Sequence, residues 1–136
     1  MKIIQDDFPR DLPANTYVAM DTEWFGMNIH RMHRPDNGKF ACLTLCYCPG
    51  EVYLIQSVDI AFFALEALKD CIWVMHNAKF DLTHLRRIAK IPPRSKIIDT
   101  MILDRILWNG YYESFSLGDL YRRYLHKHLD KELQES

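Results

Sequence analysis

The sequence predicts an α/β domain built on a mixed sheet flanked by helices, and three observations carry that prediction. A meander-like opening of strand-forming runs gives way to regular alternation of short apolar strands and helix-forming stretches. Pro49-Gly50 separates two of the early runs, which marks an antiparallel hairpin ahead of the alternating part. The 136 residues are 49% apolar and 26% charged with only 5 Gly and 6 Pro, a balance that excludes collagen-like, low-complexity and disordered chains. No repeat or Gly/Ser/Pro linker divides the chain, so residues 1–136 read as a single domain large enough to bury a core without disulfide or metal staples.

The elements follow in order. Tyr17 to Met20 is a short apolar run that turns polar at Asp21, Thr22 and Glu23, so it reads as a buried strand ending in a polar mouth. Residues 24–39 read as a loop, with a turn at Pro35 to Gly38. Phe40 to Cys48 and Glu51 to Gln56 form the hairpin. Ile60 to Lys69 is dense in helix formers, with Asp59 in front as N-cap. Ile72 to Met75 is a second buried strand, and His76-Asn77 leads into a helix from about Lys79 to Lys90 stopped by Pro92-Pro93. Ile97 and Ile98 make a short strand, Asp99 or Thr100 caps a helix running to Trp108, and Asn109-Gly110 ends it. Ser116 caps a last helix from Leu117 to about His126.

Charge narrows the function. A formal net charge of −1 gives no basic surface that could hold a nucleic acid by counterion release alone, so a polyanionic partner has to be gripped locally. The opening MKIIQDDFPR lacks the pattern of a signal peptide, and no apolar run approaches a membrane span. The expectation is a soluble protein of the reducing cytoplasm, without membrane association. Cys42, Cys46 and Cys48 fall on one face of one expected strand, which is poor geometry for a tetrahedral metal site, so these and Cys71 read as buried reduced thiols. The pair His30-x-x-His33 has ligand-like types but no placed acid or thiol partner, and reads as solvated loop.

The carboxylates are the informative residues. Asp21 and Glu23, two apart on a strand, leave the same face and repel one another at the end of a buried run. Such a pair is costly unless a cation, a shared proton or hydrogen-bond donors offset it, although a solvated strand end would also accommodate it. Asp81 lies on the Leu85–Ile88 stripe of its helix, the core-facing one, away from Arg86, Arg87 and Lys90. It either caps that helix or faces the polar mouth where Asp21 and Glu23 stand. Three acids converging from separate segments make a hard oxygen site suited to Mg²⁺ or Mn²⁺, the setting for metal-assisted phosphoryl transfer.

Val18-Ala19-Met20-Asp21-Thr22-Glu23-Trp24 resembles the first motif, D-x-E after a buried strand, of the DEDD 3′–5′ exonucleases of the RNase D and polymerase-proofreading type. His76-Asn77-Ala78-Lys79-Phe80-Asp81-Leu82 resembles their second, N-x-x-x-[FY]-D, while Ile97-Ile98-Asp99-Thr100-Met101 and Ser116-Leu117 resemble the segments that follow. The resemblance implies an RNase H-like fold with a five-stranded sheet and hydrolysis of a terminal nucleotide from a single-stranded DNA or RNA 3′ end by two metal ions. It implies Asp21, Glu23 and Asp81 as catalytic metal ligands. Thr22, Trp24, Asn77 and Phe80 would shape the slot for the terminal nucleotide, with a base stacking on Trp24 or Phe25 at about 1–3 kcal/mol. His76 and Asp99 would support the site from behind, Asp99 being equally explained as a helix cap. Lys79, Arg86 and Arg87 could reach phosphates or simply form a solvated helix face.

One part of the pattern is missing. The family's third motif, Y-x-x-x-D or H-x-x-x-x-D, does not occur after Asp99; His126 and Asp130 are four apart, one short of the His form. Leu129-Asp130-Lys131-Glu132-Leu133-Gln134-Glu135-Ser136 resembles the segment that precedes that motif, so the expectation is a domain C-terminally incomplete relative to the family. Activity would then be weak or absent unless another chain or a further segment supplies the acid. The alternative is a non-catalytic nucleic-acid-binding or protein-interaction module that keeps the fold. A small phosphohydrolase or nucleotide-binding protein is disfavoured, because no G-x-x-x-x-G-K-[ST] or G-x-G-x-x-G loop is present.

Overall fold

The computed structural model describes residues 1–28, 30, 38–91 and 96–127. Its elements are β1 (Lys2–Gln5), β2 (Tyr17–Phe25), β3 (Lys39–Cys46), β4 (Glu51–Ile55), α1 (Val58–Ala67), β5 (Ile72–Met75), α2 (Ala78–Leu85), β6 (Lys96–Asp99), α3 (Thr100–Trp108) and α4 (Leu117–Leu125). The strands form one six-stranded sheet in the order β1-β4-β3-β2-β5-β6. β2, β3 and β4 form an antiparallel meander, whereas β1 joins β4, and β5 joins β2 and β6, in parallel. The α/β class with a mixed sheet and flanking helices is as the sequence predicts, with one strand more.

That extra strand, β1, is edge structure with only Ile4 partly buried. Its partner lies some fifty residues away, with Ile4 opposite Tyr53, so nothing local distinguishes it from a polar N-terminal arm. Asp6 fastens it, its Oδ1 accepting the main-chain N–H groups of Gln56 at 2.8 Å and Ser57 at 3.1 Å.

The core occupies one face of the sheet. Val18, Met20, Leu43, Leu45, Tyr53, Ile55, Trp73 and Met75 face Ala61, Ala64, Leu65 and Leu68 of the α1 region and Ala78 and Leu85 of α2. Each fully buried side chain of this kind is worth about 1.5–3 kcal/mol. Trp73 satisfies its indole N–H on Leu68 O at 2.8 Å, which ties the end of α1 to β5. The opposite face carries Ala19, Asp21, Thr44, Cys46 and Val52, beside which Leu117 at the start of α4 lines a cavity. α3 and α4 are joined by Asp104, which is buried and accepts from Arg123 and, at 2.6 Å, from Tyr124 Oη.

Four boundaries differ from the sequence reading for identifiable reasons. β2 continues through the acidic residues to Phe25, because β3 supplies an antiparallel ladder as far as Phe25–Lys39, and the bulge between Glu23 and Trp24 absorbs the change of register. α1 is capped by Ser57, whose Oγ accepts from Ile60 N at 3.3 Å, while Asp59 sits in the first turn where the helix dipole favours it. α2 ends at Leu85 instead of about Lys90, and the chain tightens into bonds such as Arg87 N to His84 O and Ile88 N to Leu85 O. Cys48 lies past the end of β3, and Cys42, Cys46 and Cys48 are only partly buried; Cys71 is buried, and all four are free thiols.

Pro35, Pro92, Pro93, His33 and Leu129 to Ser136 lie outside the described residues. Gly38, at the end of the expected turn, has φ +79°, and a Cβ there would stand 2.7 Å from Met27 Sδ and 3.0 Å from Phe25 O, so glycine is required.

Core and rim should respond differently to truncation. Leu43→Ala, at a fully buried position on the covered face, is expected to cost about 2–5 kcal/mol, and Phe25→Ala, at a position 68% exposed, less than about 0.5 kcal/mol. Urea unfolding midpoints of the two variants check the contrast.

Candidate functional site

β2 alternates without exception: Val18, Met20, Thr22 and Trp24 are buried, and Tyr17, Ala19, Asp21, Glu23 and Phe25 are exposed. Asp21 and Glu23 therefore leave the same face, as their spacing predicts. β5 pairs with β2 only along Tyr17–Ala19 and stops at Met75, so the acidic end of β2 projects past its parallel neighbour. In the space beyond β5 the chain turns at His76 and Asn77 and starts α2. Asp81, in the first turn of α2 and 3% exposed, comes up beside β2, where its Oδ1 accepts the Thr22 hydroxyl.

The three carboxylates feel one another. Burial pushes Asp81 from an ordinary 3.8 to about 7; the Thr22 hydroxyl bond opposes that rise, and the negative charges of Asp21 and Glu23 add to it. Asp21 is raised by burial, and the Thr22 main-chain N–H and the charge of His76 pull it back. Glu23 is raised by burial and by Asp21. Even Cys42, opposite Glu23 on β3, is raised, first by burial and then by the field of Glu23 and Asp21. Thr22 points to Asp81 on the buried side of β2, and Asp21 leaves the other face one residue earlier. Among the described residues, however, no three His, Cys, Asp or Glu side chains are gathered closely enough to hold an ion as they stand. The trio shares a field, with Asp81 turned to Thr22.

Asp99 has two tasks. Its Oδ1 caps α3 by accepting Met101 N at 2.9 Å and Ile102 N at 3.3 Å, and the same carboxylate accepts Asn77 N at 3.1 Å and Ala78 N at 2.8 Å from the start of α2. One carboxylate thus stabilises the positive ends of two helices and fixes where α2 begins, and through it where Asp81 sits. His76 bridges Thr100 Oγ1 and Phe115 O, both at 2.9 Å, tying the end of β5 to α3 and to the segment before α4. Asn77 is exposed at φ +64°, and its side chain makes no cap bond. Phe80 is half-buried, its ring 4.6 Å from that of His84.

Two residues expected to shape a nucleotide slot lie inside the fold. Thr22 is 5% and Trp24 9% exposed, both on the helix-covered side of β2, and the Trp24 ring packs against Phe40 and His84. The strand alternation that presents Asp21 and Glu23 necessarily turns Thr22 and Trp24 inward, so Trp24 offers no face for a base. Phe25 is 68% exposed on the acidic side. Lys79 and Arg86 are exposed, and the Arg87 guanidinium lies 5.3 Å from the Trp24 ring centre. His30 is exposed.

Sequence reading missed His84. It is fully buried, donates from Nδ1 to Phe80 O at 2.9 Å, and stands between Phe80 and Trp24. The signal was its position three residues after Asp81, on the same inward stripe. A cavity of about 360 Å³ opens on the Asp21 side of the sheet, lined by Ala19, Asp21, Thr44, Cys46, Val52 and His76 among others. That volume is in the range of small-ligand pockets. A larger hollow of about 750 Å³, between the N-terminal segment and α1, contains none of these acids.

A family profile described as 3′-5′ exonuclease matches residues 4–136. The chain belongs to the 3′–5′ exonuclease family. Solved structures similar to this exonuclease-family chain include Brucella melitensis NrnC with bound Mg²⁺, 21% identical at a TM-score of 0.71, covering 96% of this chain and 65% of that one. The Aedes aegypti Nibbler EXO domain is 18% identical at 0.65, covering 90% and 64%. Escherichia coli RNase D, an exoribonuclease involved in structured RNA processing, is 19% identical at 0.65, covering 90% of this chain and 31% of that one. This chain therefore spans about 65% of the NrnC chain that it matches. A comparison with curated proteins finds no match. No helix among the described residues is long and apolar enough to cross a membrane.

The raised Asp81 carboxyl has a stability consequence with a definite sign. A group that ionises more readily in the unfolded chain lowers folding stability as pH rises, here from about 4 to about 7. Asp81→Asn removes that penalty, so in chelator-treated protein it is expected to be more stable than wild type by roughly 2–4 kcal/mol above pH 7, the gap closing toward pH 4. Denaturant unfolding across that range measures it.

Proposed function

We propose that this chain is the carboxylate-bearing core of a divalent-metal-dependent nuclease that removes nucleotides from the 3′ end of single-stranded DNA or RNA. The observation that carries this reading is Asp81, a buried carboxylate beside Asp21 and Glu23 and raised by both, in a chain of the 3′–5′ exonuclease family. The donor set fits Mg²⁺ or Mn²⁺ in chemistry: oxygen-only, three negative charges, and mutual repulsion that a cation would relieve. Asp21, Glu23 and Asp81 would hold the ions, which when bound would activate water and stabilise charge on the phosphodiester oxygens. The protein's own part is positioning. Asp99 and His76 hold the start of α2 and the end of β5, β5 pairs with β2, and Thr22 bonds Asp81, so α2 and β2 are held together where the acids stand. Phe25 supplies an exposed ring beside the acids, and the cavity next to Asp21 supplies room for a nucleotide.

Turnover by the 136-residue polypeptide alone is proposed to be low. Neither Y-x-x-x-D nor H-x-x-x-x-D follows Asp99, so the acid and the water-positioning residue of that motif would have to come from another chain or a further segment. One observation favours the second reading, a non-catalytic module: the three acids are not closed into a ligand cluster.

Calorimetric titration with Mn²⁺ separates the readings. The nuclease reading expects binding that Asp21→Ala or Asp81→Ala weakens at least about 10-fold, and absence of binding would favour the module. On a strand labelled at its 5′ end, the expected result is slow, metal-dependent shortening from the 3′ end that Asp21→Ala abolishes. Rapid trimming by this polypeptide alone would show that the third motif is dispensable.

A further inference from the structure

Trp24, Thr22 and Asp81 stand in one hydrogen-bonded line, all three buried at 9%, 5% and 3% exposure. The Trp24 indole Nε1–H donates to Thr22 Oγ1 at 2.9 Å, and the Thr22 hydroxyl donates to Asp81 Oδ1. An indole N–H can only donate, so it occupies a lone pair of the hydroxyl and leaves the single hydroxyl proton for Asp81. Thr22 is thereby committed as a donor.

Packing sets the direction of the indole N–H. The Trp24 ring meets Phe40 of β3 edge-on at 5.5 Å and His84 of α2 at 5.2 Å, with Arg87 just past α2 at 5.3 Å. The helix that carries Asp81 therefore also holds the ring that aims the hydroxyl at Asp81. The loop closes on itself: Trp24 to Thr22 to Asp81, along α2 to His84, and back to Trp24. The register shift between Glu23 and Trp24 places Phe40, after the extra residue Ala41 on β3, opposite Trp24, where its ring meets the indole.

We propose that Trp24 and Thr22 are positioning residues for Asp81, forming a fixed relay that commits one carboxylate oxygen to the protein and so determines how Asp81 meets a divalent cation. This rests on Asp81 being a metal ligand, as proposed above. The relay touches neither substrate nor ion. It acts through Asp81, and it replaces the substrate-contact role that the sequence pattern gives to these two residues.

The test uses the full chain with Mn²⁺ alone as probe, and three variants: Thr22→Val, which keeps the shape and removes the hydroxyl, Thr22→Ser, which keeps the hydroxyl, and Trp24→Phe, which removes the indole N–H. Calorimetry should show Mn²⁺ affinity reduced about 10-fold or more in Thr22→Val, reduced less in Trp24→Phe, and within about 3-fold of wild type in Thr22→Ser. In the metal-free protein, the NMR signal of the Trp24 indole proton should move upfield in Thr22→Val and return in Thr22→Ser, a readout that a packing role alone would not produce. An indole signal indifferent to Thr22→Val overturns the relay. Equal Mn²⁺ affinity in wild type and Thr22→Val, with binding lost in Asp21→Asn, overturns it while leaving the proposed function standing. A wild-type chain that binds no Mn²⁺ overturns the proposed function and this use of the relay, even where the indole signal behaves as described.

Discussion

The site depends on one electrostatic constraint: a carboxylate, Asp81, is taken out of water next to two more. Burial and the charges of Asp21 and Glu23 all act to neutralise it, and the Thr22 hydroxyl is the opposing interaction that the fold provides. A group in that condition destabilises the empty protein and is relieved by positive charge. Such buried, mutually repelling carboxylates are a cost to stability that the rest of the fold has to carry.

Much of the surrounding architecture serves to place that constraint. β5 stops at Met75 and β2 continues to Phe25, which leaves room beside the acidic strand end for the start of a helix. Asp99 caps α3 and receives the first amides of α2, so the junction of two helices is fixed by a single side chain. His76 spans from β5 to Thr100 and Phe115. The bonds from Asp99 to α2 and from His76 to Thr100 and Phe115 join segments distant in sequence and cost side-chain freedom, which the hydrogen bonds offset.

The two faces of the sheet are unequal. Burial of Leu43, Leu45, Ile55 and Trp73 against α1 and α2 gives one face a continuous core, and the other face carries Asp21, Thr44, Cys46 and Val52 around an open cavity. Exposed apolar residues also continue along α3, with Ile106 71% and Leu107 69% exposed. The strand alternation of β2 divides the two faces, with Val18, Met20, Thr22 and Trp24 on the covered side and Asp21 and Glu23 on the other.

Local patterns in the sequence were enough to specify the α/β class, the hairpin at Pro49-Gly50, the caps Asp99 and Ser116, and the pairing of Asp21 with Glu23 on one face. Those features follow from period-two and helical spacing and from side chains that bond their own neighbours. β1 was illegible because its only support is pairing with a strand some fifty residues on, and the reach of β2 through Phe25 because β3 alone supplies its ladder. The inward stripe of Asp81 was readable, but its bond to Thr22 and the clamp of Trp24 by Phe40, His84 and Arg87 were not. A sequence states which residues share a face of one element, and the period of two already sets Thr22 and Trp24 opposite Asp21 and Glu23, whereas only packing decides which residues of other elements each face meets.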